Sequence, residues 1–289
     1  MRLVWVTDLH LNHAAAAERD LWLRQVEAQQ CEGVVISGDI AESPDVVACL
    51  RRIAEPLQLP VFFVLGNHDF YGSSIGATVQ TVIRACRELP QLHYLTDLAA
   101  IPLRSSSPNP KTGPNPGTYL VGEDGWGDAS EGDYEGSYVR LNDFVHISDF
   151  QAAEPSTWKG MLAKLGADSA ERLAAKLAAL PDHARQVLIV THVPPFRDAC
   201  WYEGHTTDDN WAPFFVCGQL GRAIRAISQA RRQCQYTVLC GHTHHSGIAR
   251  VEPNLTVHTA AATYGQPQIA AIVDVTPERV ALLHPTESI

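Results

Sequence analysis

Val61-Phe62-Phe63-Val64-Leu65-Gly66-Asn67-His68-Asp69 passes from a short apolar run straight into glycine, an amide, an imidazole and a carboxylate. The apolar part is β-branched and aromatic and too short for a helix, so it reads as a buried strand. A strand that ends in glycine and then offers three metal- and proton-handling groups reads as a loop built for chemistry, with an ordinary polar turn as the alternative for this stretch taken alone. Neighbouring residues near a strand end point to opposite sides. Asn67 and His68 are therefore expected to do different jobs, one facing a metal and the other a substrate.

The same junction recurs four times. Leu3–Val6 leads into Thr7-Asp8-Leu9-His10, and Val34–Ile36 into Ser37-Gly38-Asp39. Gln186–Val190 leads into Thr191-His192, and Tyr236–Cys240 into Gly241-His242-Thr243-His244-His245. Asp8 and His10 are two apart, as are His242 and His244, so extended backbone would put each pair on one face. One histidine at a strand end is ordinary. Five strand ends that all carry ligand types make coincidence a poor explanation.

Between the junctions, 14–30, 43–54, 76–88, 156–180 and 218–232 have helical spacing, giving the strand–motif–helix repeat of a layered α/β fold. Further strands are expected at 93–95, 100–103, 119–122, 255–258, 269–275 and 279–284. Residues 105–117 are dominated by Ser, Pro, Asn and Gly, the composition of a surface loop. Residues 123–142 and 197–215 are long and irregular, which makes them candidate active-site loops; the alternative for 123–142 is a solvated acidic loop pinned by its aromatics. No repeat or linker interrupts residues 1–289, so one domain with two strand-rich halves is expected.

Composition narrows the function. The 289 residues carry a formal net charge of −10, which speaks against a long nucleic acid as partner, because that needs a basic surface. A small anion at a local metal site remains compatible. No apolar run approaches the roughly 20 residues of a membrane helix. Leu3–Val6 runs directly into the first motif, where cleavage of a leader would destroy it, so the cytoplasm is expected. The seven cysteines form no CxxC pair and read as reduced thiols.

Asp8, His10, Asp39, Asn67, His192, His242 and His244 mix carboxylate, amide and imidazole, which suits Mn²⁺, Zn²⁺, Fe or Co²⁺ better than Ca²⁺. Seven ligands exceed what one catalytic ion usually takes from protein. Two divalent ions bridged by one carboxylate would use them all.

The series Asp8-x-His10, Gly38-Asp39, Gly66-Asn67-His68-Asp69, His192 and Gly241-His242-x-His244 resembles the calcineurin-like metallophosphoesterase superfamily. The resemblance implies a four-layer α/β/β/α sandwich with two central mixed β-sheets and a dinuclear site at the strand ends. It implies Asp8, His10 and His244 on one ion, Asn67, His192 and His242 on the other, and Asp39 between them. His68 matches the family's catalytic histidine, and Asp69 either orients its ring or holds the loop. The implied reaction is hydrolysis of a small-molecule phosphate ester, by in-line attack of a hydroxide supplied by water shared between the ions.

Two departures bear on the substrate. Ile40-Ala41-Glu42-Ser43 follows Asp39 where the protein Ser/Thr phosphatase branch has Asp-Arg-Gly, and Asp69 stands where that branch has Glu. The pattern is more similar to the phosphodiesterase branch, and a small phosphodiester is expected. The alternatives are a phosphomonoesterase or nucleotide pyrophosphatase using the same site, and a metal-free protein-binding scaffold, which would be expected to show gaps among the ligands. Trp126, Arg197, Trp201 and His205 are the candidate substrate contacts, with Arg140, Tyr138, Tyr202 and Trp211 in the same loops. Each has the alternative of anchoring its loop or facing solvent.

Overall fold

The computed structural model describes residues 1–103, 117–276 and 278–285, so all of the predicted surface loop except Gly117 lies outside the described residues. In chain order, β1 (Arg2–Val6), α1 (Ala16–Ala28), β2 (Val34–Ser37), α2 (Val46–Leu57), β3 (Val61–Val64), α3 (Ile75–Glu88) and β4 (Leu92–Tyr94) alternate. Then come β5 (Ile101–Leu103), β6 (Thr118–Gly122), α4 (Asp143–His146), α5 (Ser148–Gln151), α6 (Trp158–Ala178) and β7 (Gln186–Val190). A small hairpin, β8 (Trp201–Tyr202) and β9 (His205–Thr206), precedes α7 (Ala212–Phe215) and α8 (Gly218–Ala230). The chain closes with β10 (Gln235–Cys240), β11 (Gly247–Glu252), β12 (Leu255–Thr259), β13 (Ala271–Val275) and β14 (Val280–Leu283).

Alternation along each strand sets the layers. Leu3 and Trp5 of β1 join Val35, Phe62, Leu120, Leu188 and Leu239 in a core between two sheets. Val4 and Val6 face the other way, onto Trp22, Leu50, Ile53 and Val82 of α1, α2 and α3. On the second sheet, Val187, Ile189 and Val238 pack outward on Leu173, Leu177, Leu220 and Ile224 of α6 and α8. The result is a four-layer α/β/β/α sandwich.

The sheets run β14-β13-β1-β2-β3-β4 and β11-β12-β10-β7-β6-β5. Strands β1 to β4 are mutually parallel, as are β6, β7, β10 and β12, while β13, β14, β5 and β11 pair antiparallel with their neighbours. The carboxyl ends of the parallel strands share one edge, where ligands bind in open α/β sheets. Strand β11 has no counterpart in the sequence reading, because Gly247-Ile248-Ala249-Arg250 follows a histidine-rich turn without a long apolar run. No helix among the described residues is long and apolar enough to cross a membrane. All seven cysteines are free thiols.

Stretch 123–142 is a solvated acidic loop only in its second half, where Asp133 and Glu135 are exposed. Glu123, Asp124 and Asp128 are buried, and each is satisfied. Glu123 pairs with Lys176 at 2.7 Å and with Arg172 at 2.9 Å. Asp128 accepts from the amides of Gln219 at 2.8 Å and Ser130 at 3.0 Å. Asp124 ties the two sheets at the site edge. Its carboxylate accepts from the Leu65 amide and the Thr96 hydroxyl, both at 2.8 Å, and from the Tyr94 hydroxyl. Its carbonyl accepts from the His192 amide at 2.9 Å.

Asp124→Ala removes an acceptor from three donors, two of them fully buried. Stranding a buried donor costs roughly 1–3 kcal/mol, so a loss of about 3 kcal/mol in urea unfolding is expected. A midpoint unchanged from the parent chain would contradict this role.

Candidate metal centre

Five of the seven candidate ligands, Asp8, His10, Asp39, His242 and His244, have positive φ, between 41° and 70°. Strand β1 stops at Val6 and β10 at Cys240, so neither pair sits in extended backbone as the i, i+2 reading supposed. Left-handed kinks, not strand alternation, swing both members of each pair inward. Non-glycine residues in this region cost roughly 1–3 kcal/mol each and gather where function needs them. Glycines make the room. A Cβ on Gly66 would collide with the Asp39 carboxylate, and one on Gly241 with Asp8 and the Thr7 hydroxyl.

The donors fall into two groups. In the first, His10 Nε2 is 3.2 Å from His244 Nε2, His244 Nε2 is 3.4 Å from Asp8 Oδ1, and His10 Nε2 is 3.6 Å from Asp39 Oδ2. Ligand atoms of these four residues all lie within 4.8 Å of one another. In the second, Asn67 Oδ1 is 3.2 Å from His192 Nε2 and 3.1 Å from His242 Nδ1, and the two ring nitrogens are 3.2 Å apart. Asp39 Oδ1 lies 3.4 Å from His192 Nε2. Asp39 thus offers one oxygen to each group.

Hydrogen bonds around the second group fix which atoms face inward. His192 Nδ1–H donates to the Ser37 carbonyl at 2.9 Å, which leaves Nε2 a lone pair. His242 Nε2–H points at the Phe214 carbonyl at 3.4 Å, which leaves Nδ1 a lone pair. The Asn67 amide donates to Asp143 at 2.8 Å, turning its carbonyl oxygen toward both rings. Three acceptors with no proton between them repel one another unless a cation sits among them. The donor set fits divalent ions.

Electrostatics points the same way. Burial, with further repulsion from neighbouring imidazoles, pushes His10 down to about 2 and holds His192 and His242 below the ordinary histidine range. Burial opposes ionisation of Asp8, but the hydrogen bond to His244 and the charge of His192 outweigh it and hold the carboxyl below the usual carboxylate range. Burial and the charges of Asp8 and Asp69 push Asp39 up. Neutral imidazole and ionised carboxylate are the forms that bind metal; His10, His192, His242 and Asp8 favour those forms, whereas Asp39 would give up a proton to a cation.

His68 stands beside the cluster. Its ring stacks on Tyr71 with centroids 4.3 Å apart and meets the His10 ring edge-on at 4.7 Å. Burial, and then the charge of His192, pushes it down to about 3. Its Nδ1 is buried without a partner, whereas Nε2 faces outward, 3.4 Å from the Tyr264 hydroxyl.

Asp69 does not touch the His68 ring. Its carboxylate is fully buried and accepts from the amides of Gly66, Ile40 and Ala41 at 2.8–3.0 Å. It clamps the turn after β3 to the turn after β2, a structural task.

The four candidate substrate residues are not gathered at the cluster. Trp126 is core, packed on Phe70 and Phe150. Arg197 is held inside its own loop by Asp209 at 2.6 Å and the Thr207 carbonyl at 3.1 Å. Trp201 lies against Gly247 of β11. His205 is exposed opposite Tyr202 in the hairpin. Arg140 likewise donates to nearby carbonyls of Ser137 and Val139. Of stretch 197–215, only its end reaches the cluster, where the Phe215 ring lies 4.5 Å from His242.

Three neighbours escaped the sequence reading. Asp143 and Tyr71 anchor the Asn67 amide, with the Tyr71 hydroxyl donating to Asp143 at 2.7 Å. Tyr264 stacks on His10 at 4.2 Å. None belongs to a motif of ligand spacing.

A model of the calcineurin-like phosphoesterase family matches residues 1–246. Among solved structures, phosphopantetheinyl hydrolase from Mycobacterium tuberculosis is similar with a TM-score of 0.65, at 14% identity over 91% of this chain and 90% of that one. A dimetal phosphatase from Danio rerio gives 0.57, at 16% identity over 98% and 93%. A protein from Thermus thermophilus gives 0.55, at 13% identity over 99% of each chain. At these identities the likeness is one of fold. A search of curated protein sequences found no match.

Relief of the lone-pair crowding predicts that Mn²⁺ raises the thermal midpoint of the purified chain and that EDTA lowers it. Asp39→Ala is expected to abolish that shift and to lower metal content at both groups. A shift that survives Asp39→Ala undiminished would mean the carboxylate does not serve both.

Proposed function

The chain belongs to the calcineurin-like phosphoesterase family, and from that premise we propose that it hydrolyses a small phosphodiester at the strand-end cluster. Asp8, His10 and His244 would hold one divalent ion and Asn67, His192 and His242 a second, with Asp39 shared. Bound there, the ions would neutralise phosphoryl oxygens and lower the pKa of a water between them.

The residues around the cluster supply the rest. His68 lies beside the ligands with Nε2 facing outward, 3.4 Å from the Tyr264 hydroxyl. It would donate a hydrogen bond to the departing ester oxygen. As the oxygen of water bonds to phosphorus, the bond to the leaving alcohol breaks and its electron pair stays on that oxygen. The proton lost by the water completes the alcohol. Burial pushes the His68 ring toward its neutral form, which can still donate one hydrogen bond.

The rim supports a diester. Around the ligands stand the rings of His13, Tyr71, Phe215 and Tyr264, and Glu42 Oε1 lies 3.4 Å from His13 Nε2. The two arginines that the sequence offered for gripping phosphate are engaged inside their own loops. A monoanionic diester needs less positive charge than a dianionic monoester.

With Mn²⁺, bis-p-nitrophenyl phosphate is expected to turn over faster than p-nitrophenyl phosphate. A much faster monoester rate would overturn the diester reading in favour of a phosphomonoesterase. His68→Ala is expected to keep its metals while kcat falls about 10²–10⁴-fold. Parallel loss of metal would instead place His68 among the ligands.

A further inference from the structure

Tyr264 lies beyond residue 246, where the family match ends, on the loop between β12 and β13. That loop is fixed against the site. The Ala262 amide donates to the His244 carbonyl at 3.3 Å, and Thr263 to Gln266 form a turn closed by a 3.1 Å bond from the Gln266 amide. Gly265 takes φ of +75° in that turn, next to the His13 carbonyl. One face of the Tyr264 ring stacks on His10 with centroids 4.2 Å apart and planes 30° apart. The His13 ring meets it edge-on at 5.6 Å.

Tyr264 is 48% exposed, so part of its surface is open to a ligand. Its hydroxyl is 3.4 Å from His68 Nε2, long for a hydrogen bond between the two but suited to both reaching one further oxygen. Two groups able to donate a hydrogen bond converge there. On the His13 ring that meets Tyr264 edge-on stands the Glu42 carboxylate, 3.4 Å from His13 Nε2.

We propose that Tyr264 is a substrate-contacting residue: its hydroxyl donates to the departing ester oxygen together with His68, and its open surface seats an uncharged, planar leaving alcohol. Glu42 sets the charge preference of this subsite by repelling a leaving group that is itself an anion. The inference rests on the phosphoesterase reading and adds the chemical class of the leaving group. It separates an ester of a neutral alcohol from a pyrophosphate, whose leaving group is a phosphate.

The test uses the full chain loaded with Mn²⁺ and a series of methyl aryl phosphates whose phenols differ in acidity. Tyr264→Phe keeps the stack on His10 and removes only the hydroxyl. It is expected to lower kcat/KM about 10- to 100-fold on the unsubstituted phenyl ester, the loss of a hydrogen bond to a charging oxygen. The p-nitrophenyl ester, whose oxygen needs little help, is expected to change far less, with metal content and thermal midpoint as in the parent. Glu42→Gln is expected to improve the p-carboxyphenyl ester relative to the phenyl ester. Equal effects of Tyr264→Phe on every leaving group, or none on any, would overturn the subsite. If the parent cleaves aryl monoesters but no diester, the diester reading fails, and the same leaving-group comparison on monoesters still decides Tyr264.

Discussion

The site depends on two sheet edges being held side by side. Asp8, His10, Asp39 and Asn67 follow β1, β2 and β3, while His192, His242 and His244 follow β7 and β10 of the other sheet. Each ligand group draws on both. The tie is polar and buried: Asp124 links the end of β3 to the start of the His192 turn, and His192 itself bonds back to Ser37 at the end of β2. In a low-dielectric seam such bonds have no water to exchange with. Their geometry therefore sets how far apart the ligands stand.

That seam holds together groups that repel. Lone pairs of Asn67, His192 and His242 face one another at 3.1–3.2 Å, and the Asp8 and Asp39 carboxylates share the same small space. Clamps on every side oppose the repulsion. Asp69 joins two turns through three amides, and Asp143 with Tyr71 fixes the Asn67 amide. None of these clamps touches a reacting atom, yet each decides where one points.

Much of this was legible in the sequence, because strands and ligands lie in short linear runs. Val61–Val64 followed by Gly66-Asn67-His68, and the four similar junctions, announce both a layered sheet and what stands at its edge. What the sequence hid is contact between distant segments. Trp126 sits in an aperiodic stretch that resembles a surface loop, but glycines let it enter the core: Gly127 lies where any side chain would collide with the Phe214 backbone. Asp124 and Asp143 look like solvated acids until their donors, from Leu65 and Asn67, are seen beside them. Tyr264 has no neighbour in sequence to mark it. The backbone conformation of the paired ligands is hidden for another reason, since a two-residue spacing fits both an extended strand and two left-handed kinks.

Those kinks carry a cost that outlasts any single turnover. Asp8, His10, Asp39, His242 and His244 hold φ values that glycine would adopt without strain. Drift that replaced them with glycine or asparagine would relax the backbone and relieve the crowded charge at once. Selection for robustness alone would thus erode this edge first, leaving an inert but sturdier sandwich. In this chain all seven candidate positions nonetheless carry ligand types, five of them in that strained backbone.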